Sequence, residues 1–184
     1  MRWRISRKGS CKDILQNRCQ PARKVCLENY LPFLAYMEYL GNKDLLKVPK
    51  TAFLASSTIS PDMVLKCYDW ATQMAKEGKC VVSGFSSHLE KEVFHFLVKG
   101  KQPIILVLAR QMYKQIPQEL QPLLDSGRLL IISTSSSPRQ SKATALSRNR
   151  YICEIADQIL FVGVTEKSSL LGLTIDFQSK SISL

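Results

Sequence analysis

The stretch Cys80-Val81-Val82-Ser83-Gly84-Phe85-Ser86-Ser87-His88 decides how the chain is read. Its apolar run is short and does not alternate, which suits a strand buried on both faces, as in a parallel sheet. Gly84 marks a tight turn or a place where a ligand approaches the backbone closely. The residues that follow put Leu89, Val93, Phe96 and Leu97 on one helical face. Strand, glycine turn and helix N-terminus together suggest an anion or nucleotide site, because N–H groups and the positive end of the helix dipole converge there.

The alternation of strand and helix extends on both sides of this stretch. Before it, Thr51-Ala52-Phe53-Leu54-Ala55 reads as a strand ending in Ser56-Ser57-Thr58. Ser60-Pro61-Asp62 then opens a helix that Gly78 closes, with Val64, Leu65, Tyr68, Ala71 and Ala75 as its expected inner face. After it, Pro103 to Ala109 (PIILVLA) is a buried strand ending at Arg110. Pro117 to Ser126 is a short helix, and Leu129 to Ile132 is the fourth strand, ending in Ser133 to Ser137. Ala143 to Asp157 reads as helix and Ile159 to Val162 as the fifth strand. Such spacing implies an α/β fold: a doubly wound, mostly parallel, five-stranded Rossmann-like sheet over residues 50–184. Upstream, Leu27 to Gly41 (LENYLPFLAYMEYLG) reads as an aromatic-rich helix. Residues 27–49 are therefore expected to form an N-terminal helix and linker, behind a basic arm over residues 1–26.

In a sheet of this kind ligands bind outside the carboxyl ends of the strands. Those ends carry Ser56, Ser57 and Thr58; Ser83, Gly84, Ser86 and Ser87; Arg110; Ser133 to Ser137; and Gly163 to Thr165. Hydroxyls and N–H groups with a cation and few acids favour an anionic ligand. The same residue types also serve simply as loop formers and helix caps.

Charge points the same way. Of the 184 residues, 26 are basic and 15 acidic, a formal net charge of +11. Arg2, Arg4, Arg7, Lys8, Lys12, Arg18, Arg23 and Lys24 against Asp13 give the first 24 residues +7, leaving +4 for the other 160. An arm of this kind attracts polyanions without reading sequence, or else is a solvated tail. No apolar stretch approaches the length needed to span a bilayer, and the basic start lacks the apolar core of a secretory signal. The expectation is a cytoplasmic protein with no membrane partner. Cys67, Cys80 and Cys153 sit in apolar patterns and read as small buried hydrophobes, and no C-x-x-C pair supports a zinc ribbon. Cys11, Cys19 and Cys26 are spaced for one helical face, but Pro21 interrupts it, so no metal is expected there.

The most informative motif is Ser147-Arg148-Asn149-Arg150-Tyr151-Ile152-Cys153-Glu154-Ile155-Ala156-Asp157. Arginines at i and i+2 lie on different faces of a helix, so one of them can reach the crevice and grip a phosphate with its planar fork. This motif, with Ser168-Ser169-Leu170 after it and Val82-Ser83-Gly84-Phe85 before it, resembles the Rossmann domain of the DNA-processing protein A (DprA/Smf) family over about Lys50 to Leu170. The resemblance implies a bacterial, cytoplasmic homodimer that binds single-stranded DNA and serves a recombinase partner. The strand ends and the arginine motif together place the ligand on Ser56, Ser57, Ser83, Gly84, Ser86, Arg110, Arg148, Asn149 and Arg150. The chain departs from the family where G-S-R becomes Ala55-Ser56-Ser57 and where His88 replaces a glycine. The family's C-terminal winged-helix region has no counterpart in this sequence.

Catalysis finds little support in the sequence. The P-G-G-x-G-T loop of the related nucleotide phosphoribohydrolases is missing. His88, Glu92 and His95 share one helical face, which suits a metal or acid–base pair but equally a half-buried helix. Glu90 reads as a first-turn acid, and Cys80 has no evident base. The expectation is a non-catalytic protein without cofactor that holds single-stranded DNA or a nucleotide phosphate. The alternative is a domain that binds or senses a small nucleotide-derived ligand.

Overall fold

In the computed structural model the chain is described over residues 36–184. The basic arm, Cys11, Cys19, Cys26 and most of the expected helix at Leu27 to Gly41 lie outside the described residues. Seven strands form one sheet: β1 (Glu38–Gly41), β2 (Lys50–Ala55), β3 (Cys80–Ser83), β4 (Ile104–Leu108), β5 (Leu129–Ser133), β6 (Gln158–Val162) and β7 (Ser181–Ile182). Their order is β1-β5-β4-β3-β2-β6-β7, with β1 antiparallel to β5 and every other pairing parallel. The five expected strands are β2 to β6, and the doubly wound α/β fold is as read; β1 and β7 extend the sheet at its two edges.

The end of the expected N-terminal helix is strand instead. Glu38 to Gly41 pairs with β5, and Tyr39 is buried beside Leu45 in the core. Pairing with a preformed neighbour overrides a local helical pattern. Gly41 ends the strand at φ 101°, and a side chain there would overlap the Leu129 carbonyl oxygen, so only glycine fits.

Five helices wrap the sheet: α1 (Pro61–Glu77), α2 (His88–Lys99), α3 (Gln121–Asp125), α4 (Lys142–Ile155) and α5 (Leu171–Asp176). Alternate strand residues feed two cores. Phe53, Val81, Ile104, Leu106 and Ile131 pack with α1, α2 and α3, while Leu54, Val82, Ile105, Val107 and Ile132 pack with α4 and α5. The buried face of α1 is Cys67, Trp70, Ala71 and Met74; of the expected face Ala71 is buried and Val64 and Tyr68 pack at its edge, whereas Leu65 is 64% exposed. Trp70 sets that rotation by stacking on Phe53 at 5.1 Å, since the largest ring removes the most apolar surface from water.

Two contacts fix how α4 meets the sheet. Lys180 Nζ donates to the carbonyls of Cys153, Glu154 and Ala156 at 2.7–3.1 Å, closing the helix C-terminus with a cation. Lys50 N–H donates to Asp157 Oδ2 at 2.9 Å, and Asp157 N–H returns a bond to the Lys50 carbonyl, pinning β6 to β2. From β5, α4 crosses back so that β6 lies on the far side of β2. Strand order therefore reverses between β2 and β6. Among the described residues no helix is long and apolar enough to cross a membrane.

Candidate nucleic-acid interface

The turn after β3 is held by one acid. Glu90 is buried, and its Oε2 accepts from Ser86 N–H at 2.7 Å, Ser87 N–H at 3.2 Å and the Ser86 hydroxyl at 3.3 Å. Its Oε1 accepts from Ala55 N–H at 3.1 Å, across the gap to the end of β2. Ser87 Oγ in turn accepts from Glu90 N–H, completing a capping box. The N–H groups of Ser86 and Ser87 that lead into α2 are thus bound by the chain's own carboxylate, and that of Glu90 by Ser87 Oγ. Within the turn Phe85 adopts φ 44°, a left-handed conformation costing a bulky residue on the order of 1–3 kcal/mol. Its N–H donates to Ser83 Oγ, and its ring is buried against Phe94 at 4.8 Å, which holds the conformation in place.

Arg148 arrives from the other face of the sheet. It lies at the middle of α4 and is 3% exposed. Its guanidinium lies against Gly84, where any Cβ would overlap it. Close approach, not a positive φ, is what requires glycine here. Nη2 donates to Ser86 Oγ at 3.0 Å and Nε to Asn149 Oδ1 at 3.0 Å. Both partners are neutral oxygens. Burial pulls the Arg148 pKa below the usual arginine range and the Glu90 charge pulls it back. A guanidinium stays protonated at neutral pH even so. The result is a desolvated cation that no carboxylate among the described residues contacts directly.

Arg148 and Gly84 line a cleft of about 360 Å³ over the carboxyl ends of β3 and β4. Leu106, Leu108, Ala109 and Phe85 give it an apolar floor, and Ser86, Gln140, Lys91 and Arg110 contribute polar and cationic walls. Tyr113 completes it, with the Arg110 guanidinium 4.5 Å above its ring. Among the described residues three cations and no acid line this space.

Of the residues singled out from the sequence, Gly84, Ser86, Arg110 and Arg148 meet at this cleft. Ser83 and Asn149 stand one step behind, orienting Phe85 and Arg148. Ser56 and Ser57 lie instead where β2 and β6 end. There Ser56 N–H donates to the Val162 carbonyl and its hydroxyl lies 3.3 Å from Ser168 Oγ. Arg150 is not brought to the cleft: it pairs with Asp176 and lies over Phe177. Ser133 and Thr134 are spent on the neighbouring end of β4, with Ser133 Oγ donating to the Arg110 carbonyl at 2.8 Å and Thr134 Oγ1 to the Leu108 carbonyl at 2.9 Å. Lys91, Tyr113 and Gln140 were not singled out. Tyr113, the one aromatic between Arg110 and Gly127, carried the only signal of the three in the sequence.

The side chains read as candidate chemistry behave as structure. Among the described residues no group of three or more His, Cys, Asp or Glu is placed to hold a metal. Cys67, Cys80 and Cys153 are buried, and burial pushes the thiols up to about 11, 12 and 12 respectively, so they remain protonated at neutral pH.

The family model for DNA recombination-mediator protein A matches residues 20–179. DNA processing protein A from Streptococcus pneumoniae is similar in structure, with a TM-score of 0.65 and 20% identity over 80% of this chain and 54% of its own. The Helicobacter pylori protein of the same name, whose structure describes a single-stranded DNA binding mode, gives 0.65 and 19% over 82% and 72%. A molybdenum cofactor binding protein from Rippkaea orientalis shares the fold at 0.51 and 14% over 73% and 75%. This chain thus spans about half the length of the Streptococcus pneumoniae protein. Comparison with curated proteins gives no match.

Proposed function

Because this chain belongs to the DNA recombination-mediator protein A family, we propose that it binds single-stranded DNA in the cleft beside Arg148, without catalysis and without a cofactor. One observation carries the reading: Arg148, only 3% exposed and held by neutral oxygens, borders a cleft whose other charges among the described residues are the cations Lys91 and Arg110. A buried cation costs several kcal/mol unless an anion completes it, and a phosphodiester oxygen is such an anion. Lys91 adds a second charge to the same phosphate region. Homodimerisation, a recombinase partner and a cytoplasmic setting belong to this reading through the family.

The same geometry weighs against a dinucleotide seat. A pyrophosphate in a doubly wound sheet sits on N–H groups where the strand turns into a helix, and here Glu90 holds those of Ser86 and Ser87 just before α2 while Ser87 Oγ caps that of Glu90. The size of the cleft does favour one rival, a single mononucleotide. Fluorescence anisotropy with a dT oligonucleotide separates the two readings. The expected result is binding that weakens steeply with salt, with mononucleotides competing only weakly. Tight mononucleotide binding with no oligonucleotide binding would overturn the proposal.

The basic arm enters the same reading through the register of β1. Glu38 pairs with Ser133 at the carboxyl end of β5, so the chain before Tyr36 joins the domain on the edge that carries the cleft. β1 stands two strand spacings from β4, about 10 Å. Replacing Arg2, Arg4, Arg7 and Lys8 together with glutamine is expected to flatten the log–log salt slope for a long oligonucleotide by up to roughly 3, at about 0.7 per phosphate contact. A salt titration of the full chain checks this, and an unchanged slope assigns the arm no contact.

A further inference from the structure

Arg148 meets the Gly84 turn only while α4 is held in one place. Of the 14 residues of α4, the buried ones are Arg148, Tyr151, Ile152 and Cys153, and none of residues 142–147 is buried. The packing that fixes the helix therefore lies from Arg148 toward its C-terminus. Little slack exists at the cleft. The guanidinium fills the space that a Cβ on Gly84 would take, and its bond to Ser86 Oγ is 3.0 Å. A slide of α4 away from the turn by about 1 Å breaks that bond.

The far end of α4 is not closed by its own sequence. Its last turn holds no basic residue and carries Glu154, an acid at the negative end of the dipole. The last carbonyls of a helix also have no partner within it. Lys180 answers both needs: its Nζ donates to the carbonyls of Cys153, Glu154 and Ala156 at 3.1, 3.0 and 2.7 Å. Lys180 is in turn fixed to the sheet. Ser181 and Ile182 beside it pair with Ile159 and Leu160 of β6, and its own N–H donates to the Phe177 carbonyl at 3.0 Å. The Arg150–Asp176 pair joins the same two segments on the exposed side, where an ion pair contributes little.

Resting on the reading of the cleft as a single-strand site, we infer that Lys180 is a positioning residue for Arg148. It locks the C-terminal end of α4 to the edge of the sheet, and so sets where the guanidinium meets the strand. Cys153 lies five residues beyond Arg148, about 7.5 Å along the axis, and an intact helix carries a displacement over that distance. An ammonium has three donors, and those of Lys180 go to three carbonyls, so Lys180 acts on the strand through Arg148 alone. The coupling is reciprocal: a strand held at Arg148 steadies the Lys180 contacts.

The test is a double-mutant cycle on the full chain, read by anisotropy with a dT oligonucleotide. Lys180→Met, which keeps the stem and removes the ammonium, is expected to weaken binding about tenfold in the wild-type background. In the Arg148→Ala background the same change is expected to cost less than about twofold, with the log–log salt slope unchanged in both. Lys180→Arg, which can still donate to the carbonyls, is expected to stay within about threefold of wild type. A residue that only stabilises the fold would lower Tm and leave the affinity of the folded protein unchanged. That result, an equal loss in both backgrounds, or a slope lowered by about 0.7 that marks a direct phosphate contact, would overturn the positioning role and leave the single-strand reading standing. Failure of wild type to bind overturns both. Hydrogen exchange in the wild-type chain decides the matter if Lys180→Met does not fold. Saturating oligonucleotide is expected to slow exchange of the Lys180 amide about tenfold through the same coupling, and unchanged exchange there contradicts it.

Discussion

Arg148→Ala is expected to weaken binding of a single-stranded oligonucleotide by roughly 30- to 100-fold, while Arg150→Ala changes it less than threefold. The first figure corresponds to the loss of a charge-assisted contact worth about 2–3 kcal/mol. The two arginines sit two residues apart on α4, yet Arg148 faces the Gly84 turn and Arg150 faces α5, paired with Asp176. Arg148→Lys should fall between wild type and alanine. A lysine keeps the charge but cannot reach Ser86 Oγ and Asn149 Oδ1 with separate nitrogens and still present a fork. Anisotropy titrations at several salt concentrations check this, with the alanine variant also losing about 0.7 from the log–log slope. Thermal unfolding of each variant separates lost binding from lost folding, because emptying the space over Gly84 itself costs stability.

Glu90→Gln is expected to destabilise the domain by about 3 kcal/mol, lowering Tm by roughly 6–12 °C. The substitution is isosteric, so the loss has one source. Glu90 accepts from the N–H groups of Ala55, Ser86 and Ser87 and from the Ser86 hydroxyl with two oxygens. A glutamine amide keeps one oxygen and turns two donors toward donors, leaving buried N–H groups unpaired. The turn holding Phe85 at φ 44° loses its tie, and Ser86 no longer meets Arg148 in place. Binding should therefore weaken along with stability. Calorimetry of Glu90→Gln beside Glu92→Gln is the check, and equal Tm values for the two would refute the clamp.

The parallel strands were legible because burial on both faces leaves no polar alternation. KTAFLA, CVVS, IILVL and LLIIS announce themselves as apolar runs, and every residue in them is buried. β1 was not legible, since an edge strand is defined by the partner it pairs with and EYLG follows a stretch patterned like a helix. The centre of the buried face of α1 was misplaced for a related reason: Ala71 is buried as read, but Trp70 on Phe53 outweighs Leu65, and that is settled by packing across the core.

At the cleft, the capping box of Ser87 and Glu90 could be read locally, whereas the reach of Glu90 to Ala55 crosses two strand ends. The i, i+2 spacing of Arg148 and Arg150 required opposite faces, but which one meets Gly84 depends on how Tyr151, Ile152 and Cys153 bury themselves. Gly84 looked like a turn glycine. Its role is to leave room for a guanidinium.

The central claim places a single strand at the carboxyl ends of β3 and β4. Photocrosslinking of the full chain to an oligo-dT carrying one 5-iododeoxyuridine, followed by peptide mapping, tests it most directly. The account predicts adducts on the segments holding Phe85 and Tyr113, lost in Arg148→Ala. Adducts confined to the β2–β6 end around Ser56 and Ser168, or to the outer faces of α1 and α5, would contradict it.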